Sequence, residues 1–235
     1  MNVDMLWNKY GRGRVDNMIK IENTKVIGWE HAIRGMRNPM NSWDNSDSRF
    51  NDDTAFNIIG NNDLSLMKKL VKAGTDHRKF MRMITVYADI NAPLYWWKEY
   101  DTYKVGTVAN SCSTMHKIQD KEFTLDDFSV EHIGEGVTTN VFYECFENII
   151  DCLNEARQCF LDDKNKQWWW QMIQLLPSSY NQKRTVMLNY EVLANMYHSR
   201  KNHKLDEWRE FCKWIESLPY SELITLNYKE ENKNE

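Results

Sequence analysis

Ten consecutive residues, Thr107 to His116, carry seven side chains that end in a hydroxyl, thiol, amide or imidazole group. Such groups exchange hydrogen bonds, and with backbone N–H groups they can bind an anion. Binding residues are concentrated on loops that rigid elements hold in place. The segment is therefore a candidate binding loop, although an ordinary solvated loop has the same composition.

The residues before this segment predict a strand followed by an aromatic helix. Alternation of apolar residues predicts a strand over Met83 to Ala88. Pro93 suits the first turn of a helix, and the run Leu94-Tyr95-Trp96-Trp97 gives that helix an apolar face. Gly106 is a residue at which the chain can leave a helix. The polar loop would thus follow a strand and a helix, which would hold it in place.

Bulk composition limits the class of protein. The chain has 235 residues, 42% of them hydrophobic, and a net charge of −4, which predicts a globular protein without a general attraction to nucleic acid polymers or anionic membranes. The five cysteines form no CxxC pair, which favours reduced thiols in the cytoplasm.

Met1 to Tyr10 lacks the apolar stretch of a signal peptide, and no run reaches membrane-spanning length. We expect one cytoplasmic domain, residues 1–235, with a disordered charged tail from about residue 229.

Helical spacing of apolar residues predicts several further helices. One covers Lys25 to Arg37, and another covers Asp63 to Ala73, capped by Asn62 or Asp63; a long loop joins them. A long helix from Thr138 or Thr139 to Leu161 should bury Phe142, Phe146, Ile149 and Leu153.

The cysteines and tryptophans of the second half belong to such helices. Cys145, Cys152 and Cys159 recur every seven residues on the long helix, which we interpret as small core residues on one stripe. A further helix over Lys164 to Leu176 should be mostly buried, including Trp168 to Trp170. Together these patterns predict an α+β fold with a central mixed or antiparallel sheet covered by helices.

Ile90 to His116 resembles the signature region of the flavin-dependent thymidylate synthases. That family has Ala-Pro and an aromatic helix, then Arg-His-Arg, then a loop with Ser, Asn-Glu and Ser-x-Arg-Tyr. Here Ala92-Pro93 matches the helix entry, and Lys98-Glu99 falls on the family's Arg-Gln. The remaining matches are Thr102-Tyr103-Lys104 on Arg-His-Arg, Thr107 on the first Ser, Asn110-Ser111 on Asn-Glu after a one-residue insertion at Ala109, and Ser113 to His116 on Ser-x-Arg-Tyr. The frame is preserved, but much of its charge is changed.

A second motif, further along the chain, supports the resemblance. The family has Leu-Pro, then an Arg and an Asn, a helix ending in Leu-Arg, and His-Ala-Gln-x-Glu-Ile-Arg. This chain has Leu176-Pro177, Lys183 with Arg184, Asn189, Ser199-Arg200 and, after a one-residue deletion, His203 to Arg209. The resemblance extends over roughly Lys25 to Trp214.

The resemblance implies ligands and their binding residues. It implies binding of FAD, with NADPH and methylenetetrahydrofolate as possible co-substrates, and of a pyrimidine deoxyribonucleotide such as dUMP that is methylated or alkylated at carbon 5. The residues that it places at the cofactor are Tyr103, Lys104, Asn110, His198 and Arg200. Those that it places at the substrate are Glu99, Ser111, Ser113, Lys183, Arg184 and Arg209. The family builds its sites from several subunits, so the resemblance also implies a homotetramer.

Three interpretations of function remain open at the level of sequence. The first is a diverged flavin-dependent enzyme, and the second is a catalytically inactive nucleotide-binding relative that regulates or sequesters. The third is an interaction protein on the same scaffold. Met115 stands where the family has the loop arginine, which weighs against the first. For single residues, a purely structural role is an alternative to ligand binding. Ser111 or Ser113 would cap a helix, and Cys112 would be a small loop residue. His77 is the nearest match to a family histidine near the flavin, but it would equally be an ordinary surface residue.

Overall fold

The computed structural model describes residues 18–51, 56–136 and 141–226. Its strands are β1 (Lys20–Ile27), β2 (Arg49–Asn51), β3 (Phe56–Ile58), β4 (Thr85–Pro93), β5 (Thr107–Ser111) and β6 (Asn181–Asn189). Its helices are α1 (Trp29–Arg37), α2 (Asn61–Lys72), α3 (Leu94–Tyr100), α4 (Val141–Asp163), α5 (Lys166–Leu175), α6 (Tyr190–Arg200), α7 (Asp206–Glu216) and α8 (Glu222–Thr225). Short 3₁₀ turns lie at Asn38–Met40, Trp43–Asn45, Lys79–Met83 and Leu125–Asp127.

Four strands form an antiparallel sheet in the order β1-β4-β6-β5, and β2 pairs antiparallel with β3 in a separate hairpin. The predicted α+β class with such a sheet is confirmed. The chain divides into two compact units. Among the described residues, the first unit contains 18–20, Ile90–Thr102 and Asn110–Arg184, and the second contains Ile21–Asp89, Tyr103–Ala109 and 185–226. The expectation of a single domain remains a prediction.

The first unit has a core of aromatic and aliphatic residues around α4 and α5. Phe123, Phe128, Phe146, Leu153 and Met172 are buried together, and the Phe128 ring meets the Phe146 ring edge to face at 5.2 Å. On α3, the two tryptophans and Tyr100 are completely or almost completely buried. The Leu94 N–H donates to the Tyr180 carbonyl at 3.0 Å, so Pro93 precedes a helix whose first turn is bonded to the rest of its own unit.

The second unit buries Trp29, Tyr190, Trp208 and Phe211. Two ion pairs are also buried there. Arg37 Nε donates to Asp63 Oδ1 at 2.7 Å, and Arg78 Nε lies 3.0 Å from Glu191 Oε2. Charged groups are held in such a core only where their partners compensate for lost hydration. Both pairs therefore fix α1, α2, the turn at Lys79–Met83 and α6 within this unit.

Several local predictions are wrong, for identifiable reasons. Thr107 to Ser111 is a strand rather than a loop, because β5 lies at the edge of the sheet, where an exposed strand needs no apolar residues. Helix α2 begins after Gly60, and no side chain of its own segment caps it. Instead, the Asp47 carboxylate accepts from the N–H groups of Asn62 and Asp63 at 2.9 and 3.1 Å.

The predicted burial on α4 and α5 is also partly wrong. Cys145 and Cys152 are exposed and Cys159 is half-buried, so the cysteine stripe does not face the core. Phe142 is 52% exposed and Ile149 is partly buried, although Phe146 and Leu153 are buried as predicted. Trp168 and Trp170 are 36% and 43% exposed, because Met172 is the residue with which α5 enters the core. Thr138, Thr139, residues 1–10 and the tail from 229 lie outside the described residues.

Candidate functional site

In the second unit, predicted cofactor residues meet around the guanidinium of Arg200, the last residue of α6. Arg200 Nε donates to the Tyr103 hydroxyl at 3.0 Å, and Arg200 Nη1 lies 3.0 Å from His203 Nε2. The guanidinium carbon lies 4.9 Å from the centre of the buried Trp208 ring. We call Tyr103, Arg200, His203 and Trp208 the Arg200 cluster. Tyr103 and Arg200 are the two members that the resemblance assigns to the cofactor; His203 and Trp208 lie in the second motif, but no role was predicted for them.

The backbone beside Tyr103 turns sharply and places a cation in solvent. Gly106 has φ +80°, in the left-handed region that favours glycine, and its Cα faces the side chain of Asn189. Asn189 Oδ1 accepts from the Val192 N–H at 2.9 Å and so caps α6. Lys104 is exposed between Tyr103 and this turn. The loop therefore offers a solvent-exposed ammonium next to an aromatic ring that Arg200 holds in place.

Three other residues that the sequence singled out in this unit, His198, Arg209 and His77, have surroundings that differ from those of the Arg200 cluster. His198 is half-buried, and burial, followed by repulsion from Lys201, lowers the pKa of its imidazole, which favours the neutral ring. Arg209 forms a salt bridge with Asp206 and donates to the His203 carbonyl at 3.1 Å. His77 is exposed in the turn that follows α2.

In the first unit, the predicted substrate residue Arg184 has three partners, Trp97, Asp101 and Gln182. Its Cζ lies 4.2 Å from the centre of the Trp97 ring, its Nη1 donates to Asp101 Oδ1 at 2.8 Å, and its Nε donates to Gln182 Oε1 at 3.0 Å. We call Trp97, Asp101, Gln182 and Arg184 the Arg184 cluster. Stacking, an ion pair and a hydrogen bond together fix the guanidinium in one orientation.

The polar segment, Thr107 to His116, ends in a short turn that is hydrogen bonded to this cluster. Gln182 Nε2 donates to the Cys112 carbonyl at 2.8 Å, and the Cys112 N–H donates to the Lys183 carbonyl at 2.9 Å. Ser113 Oγ accepts from the N–H groups of Met115 and His116 at 3.3 and 3.0 Å. Ser113 thus stabilises its own turn. In the described residues no helix begins at this position, so this role differs from the helix cap that the sequence left open.

The remaining predicted residues of the first unit lie at its surface. Asn110 and Ser111 are exposed on the edge strand β5, Lys183 is exposed on β6, and Glu99 is half-buried on α3. They offer amide, hydroxyl, ammonium and carboxylate groups to solvent. The assignment of these residues to a substrate stays a prediction.

The residues of the Arg200 cluster and its loop can be compared with what FAD requires. A dinucleotide needs cations for its pyrophosphate and flat side chains for its rings. Lys104 is an exposed cation, and Tyr103 is a half-buried aromatic residue next to it. These residues fit such a group, with Arg200 acting on the orientation of Tyr103. Among the described residues, no group of three or more His, Cys, Asp and Glu side chains is arranged to hold a metal ion. No helix in the described ranges is long and apolar enough to span a membrane.

Comparison with solved structures shows the same fold in thymidylate synthases. One is a crystal structure of the flavin-dependent thymidylate synthase ThyX from Helicobacter pylori complexed with FAD and dUMP. Its TM-score is 0.62 at 16% identity, and the match covers 89% of this chain and 100% of that chain. Another structure of the Helicobacter pylori enzyme with FAD and dUMP gives a TM-score of 0.60 at 14% identity, covering 87% and 95%. No protein-family model and no curated protein sequence matches the chain.

Proposed function

We propose that this protein binds a pyrimidine deoxyribonucleotide such as dUMP together with FAD, and that it alkylates the base at carbon 5. The observation that supports the proposal is the fold shared with enzymes seen in complex with FAD and dUMP, over the whole length of one such chain. Function does not follow from fold alone. The proposal therefore depends on whether residues at and near the Arg200 cluster and the Arg184 cluster can bind FAD and the nucleotide.

In this proposal FAD, when bound, would supply the redox chemistry. The net reaction would replace the carbon-5 proton, released to solvent, by a methyl group made from the one-carbon unit of methylenetetrahydrofolate and two electrons from NADPH. The side chains position the reactants and meet their charge. Lys104, which is exposed, neutralises phosphate, and Tyr103 provides a flat surface. Arg200 orients Tyr103 through the hydrogen bond at 3.0 Å. Asn110 and His198 complete the proposed cofactor residues.

The substrate is proposed to bind along the polar segment of the first unit. Exposed Ser111 and Lys183 offer a hydroxyl donor and an ammonium, while Glu99 offers an acceptor for a base N–H. Ser113 shapes the turn and Arg184 stiffens the strand beside it. Arg209 is proposed as a further phosphate contact. A homotetramer, in which subunits complete one another's sites, and a cytoplasmic location belong to the same proposal.

A second candidate function is a nucleotide-binding relative without catalysis, acting as a regulator or sequestering protein. One observation favours it: Arg200, the arginine proposed for the flavin, already has protein partners. It donates to the Tyr103 hydroxyl at 3.0 Å, and its guanidinium carbon lies 4.9 Å from the centre of the Trp208 ring. A guanidinium that must leave such partners to bind a pyrophosphate gains less from the exchange. This candidate keeps the nucleotide and removes the flavin chemistry.

Three measurements separate the candidates. Titration of the purified protein with FAD, followed at the flavin absorbance bands, should show saturable binding and a yellow protein if the enzyme proposal is correct. Release of tritium from carbon-5-labelled dUMP, with NADPH and methylenetetrahydrofolate, tests turnover. Binding of dUMP by calorimetry without FAD binding or tritium release would leave the inactive relative. Absence of binding of both ligands would overturn both candidates.

A further inference from the structure

The junction of α4 and α5 forms an open pocket whose lining includes Met115 and His116, the last two residues of the polar segment, but none of the side chains proposed above to bind substrate or cofactor. Its cavity volume is about 400 Å³, and its walls include Met115, His116, Phe160, Lys164, Lys166 and Trp169. Every one of these residues belongs to the first unit. We call it the Trp169 pocket. The geometry points to an accessory binding site for a nucleoside monophosphate, with its base on Trp169 and its phosphate at the two lysines.

Charge at the pocket favours an anion. Two ammonium groups and one imidazole line it, and no carboxylate is among the described residues that line it. The oxygens of the nearby Asp163 accept from the Asn165 N–H at 2.7 Å and from Trp168 Nε1 at 3.2 Å, so these bonds are with neutral groups and not with the two lysines. Lysine is a compact point charge that suits a phosphate group. The described lining thus carries cations and no carboxylate, although the whole chain has a net charge of −4.

The backbone of the connection between α4 and α5 fixes the positions of the Cα atoms of Lys164 and Lys166. Helix α4 ends at Asp163, α5 begins at Lys166, and only two residues connect them. Lys164 adopts a left-handed φ of 57° and its N–H donates to the Phe160 carbonyl at 2.9 Å. The Asn165 side chain caps α5 by accepting from the Gln167 N–H at 3.0 Å. A rigid turn of this kind places both cations at the N-terminal end of a ten-residue helix, where the helix dipole adds positive potential.

Aromatic side chains in the pocket favour a ligand with a flat ring. Lys164 Nζ lies 5.6 Å from the centre of the Phe160 ring, so ring and cation are already adjacent. The Trp169 indole is half-buried, and its Nε1 donates to the Met115 carbonyl at 3.0 Å. That bond fixes the edge of the indole to the turn shaped by Ser113. A base stacked on Trp169 would gain a preorganised surface, and purines, with the larger π-face, should gain most.

The same hydrogen bond links the pocket to the polar segment. Met115 contributes to the pocket and belongs to the turn that Ser113 stabilises through the Met115 and His116 N–H groups. A ligand that holds Trp169 in place also holds this turn. Occupancy of the Trp169 pocket should therefore change the affinity of the polar segment for its own ligand, which goes beyond the proposed function.

The test is calorimetric titration of the full chain with AMP at low salt, compared with adenosine and with inorganic phosphate. We expect saturable binding of AMP that weakens as salt rises, and much weaker binding of either part alone. The double variant K164Q/K166Q and the variant Trp169→Leu should each weaken AMP binding by about tenfold or more. K164R/K166R should retain it. The matched control K69Q/K72Q, which removes two exposed lysines from α2 in the second unit, should bind AMP like the parent.

Several results would overturn the inference. They are equal binding of inorganic phosphate and AMP, equal binding of adenosine and AMP, or unchanged AMP affinity in K164Q/K166Q. Displacement of AMP by dUMP, with equal loss of both in K164Q/K166Q, would make the pocket part of the substrate site rather than a second site. Absence of AMP binding in a protein that binds dUMP would overturn this inference alone. AMP binding without dUMP binding would instead count against the proposed function.

Discussion

Arg200 lies against Trp208, with the guanidinium carbon 4.9 Å from the centre of a completely buried indole ring. Trp208 in turn meets Phe211 edge to face at 5.6 Å in the core of the second unit. Arg200 therefore connects the loop that carries Tyr103 and Lys104 with that core. A residue that the sequence presents as a ligand contact is, in the fold, a residue on which the position of a loop depends.

Replacement of Arg200 should consequently reduce stability as well as ligand affinity. In Arg200→Ala the Tyr103 hydroxyl and the imidazole of His203 lose a charged partner, and the free energy of unfolding should fall by about 2 kcal/mol. Tyr103→Phe removes only one hydrogen bond and should cost about 1 kcal/mol. Urea denaturation followed by Trp fluorescence measures both. Arg209→Ala is the control, because its exposed salt bridge with Asp206 should contribute less than about 1 kcal/mol. Equal losses in the two arginine variants would contradict the structural role of Arg200.

The carboxylate of Asp63 should govern acid stability in the second unit. Burial by itself raises the pKa of Asp63, but hydrogen bonds from Ser48 and Ser46 and the adjacent Arg37 outweigh it and leave this pKa below its usual value. Since the folded pKa lies below the unfolded one, ionised Asp63 stabilises the fold above about pH 4, and this stabilisation is lost as pH falls through the folded pKa.

Asp63→Asn tests this pH dependence. The variant leaves the buried Arg37 guanidinium without a counter-charge, and at pH 7 the free energy of unfolding should fall by about 3 kcal/mol. The difference from the parent should narrow as the pH is lowered from 5 towards 3. Urea denaturation across that range measures it. Asp120→Asn, at an exposed pair with Lys117, should change stability by less than about 1 kcal/mol. A constant difference at every pH would show that folding does not lower the pKa of Asp63.

Sequence reasoning found the elements whose signals are local. Pro93 indicated an aromatic helix, which begins one residue later, at Leu94. The apolar alternation over Met83 to Ala88 indicated a strand, which in the structure covers Thr85–Pro93 and so runs five residues further than predicted. Sequence reasoning missed β5, because an exposed edge strand of polar residues lacks the alternation that identifies half-buried strands. It also misjudged the cysteine stripe of α4, because a seven-residue spacing shows that residues share a helix face but not which face the rest of the fold covers.

In the candidate site, too, local motifs could be identified from the sequence and long-range contacts could not. A resemblance of motifs drew attention to Tyr103 and Arg200, which are in contact, and their role at a cofactor stays a prediction. It could not show that the guanidinium of Arg184 is held by Trp97 and Asp101, because these contacts join residues more than eighty positions apart. Tertiary contacts of that kind decide whether a charge is available to a ligand, and they leave no local signal in one sequence.

Thiol labelling should separate the cysteines by exposure. Cys112, Cys145 and Cys152 are exposed and should react rapidly with a thiol reagent at pH 8 in the native protein. Cys212 is buried, and burial, followed by the nearby Glu216, raises the pKa of its thiol to about 12, so it should react only after unfolding. Mass spectrometry of labelled peptides identifies each site, and labelling in denaturant gives the full count. Rapid modification of Cys212 in native protein would contradict the described packing of α7.

Gly106 should be intolerant of any side chain, and the reason is specific to this turn. Its φ is +80°, which costs a residue with a Cβ about 1 to 2 kcal/mol, and that Cβ would lie 2.7 Å from Asn189 Nδ2. Since Asn189 caps α6 through the Val192 N–H, displacing its amide should cost about a further 1 kcal/mol. Gly106→Ala should therefore lower the free energy of unfolding by about 2 to 3 kcal/mol in urea denaturation.

Gly74→Ala is the matched control for that variant, because Gly74 also has a positive φ, +102°, but no described atom lies within 4 Å of the added Cβ. It should show the conformational cost of about 1 to 2 kcal/mol without the loss of a cap. The double variant Gly106→Ala with Asn189→Ala removes the amide that the new methyl group would meet. In it the two losses should be less than additive, because the cap is lost only once. Equal losses in Gly106→Ala and Gly74→Ala, or strict additivity with Asn189→Ala, would show that the turn and the helix cap are independent.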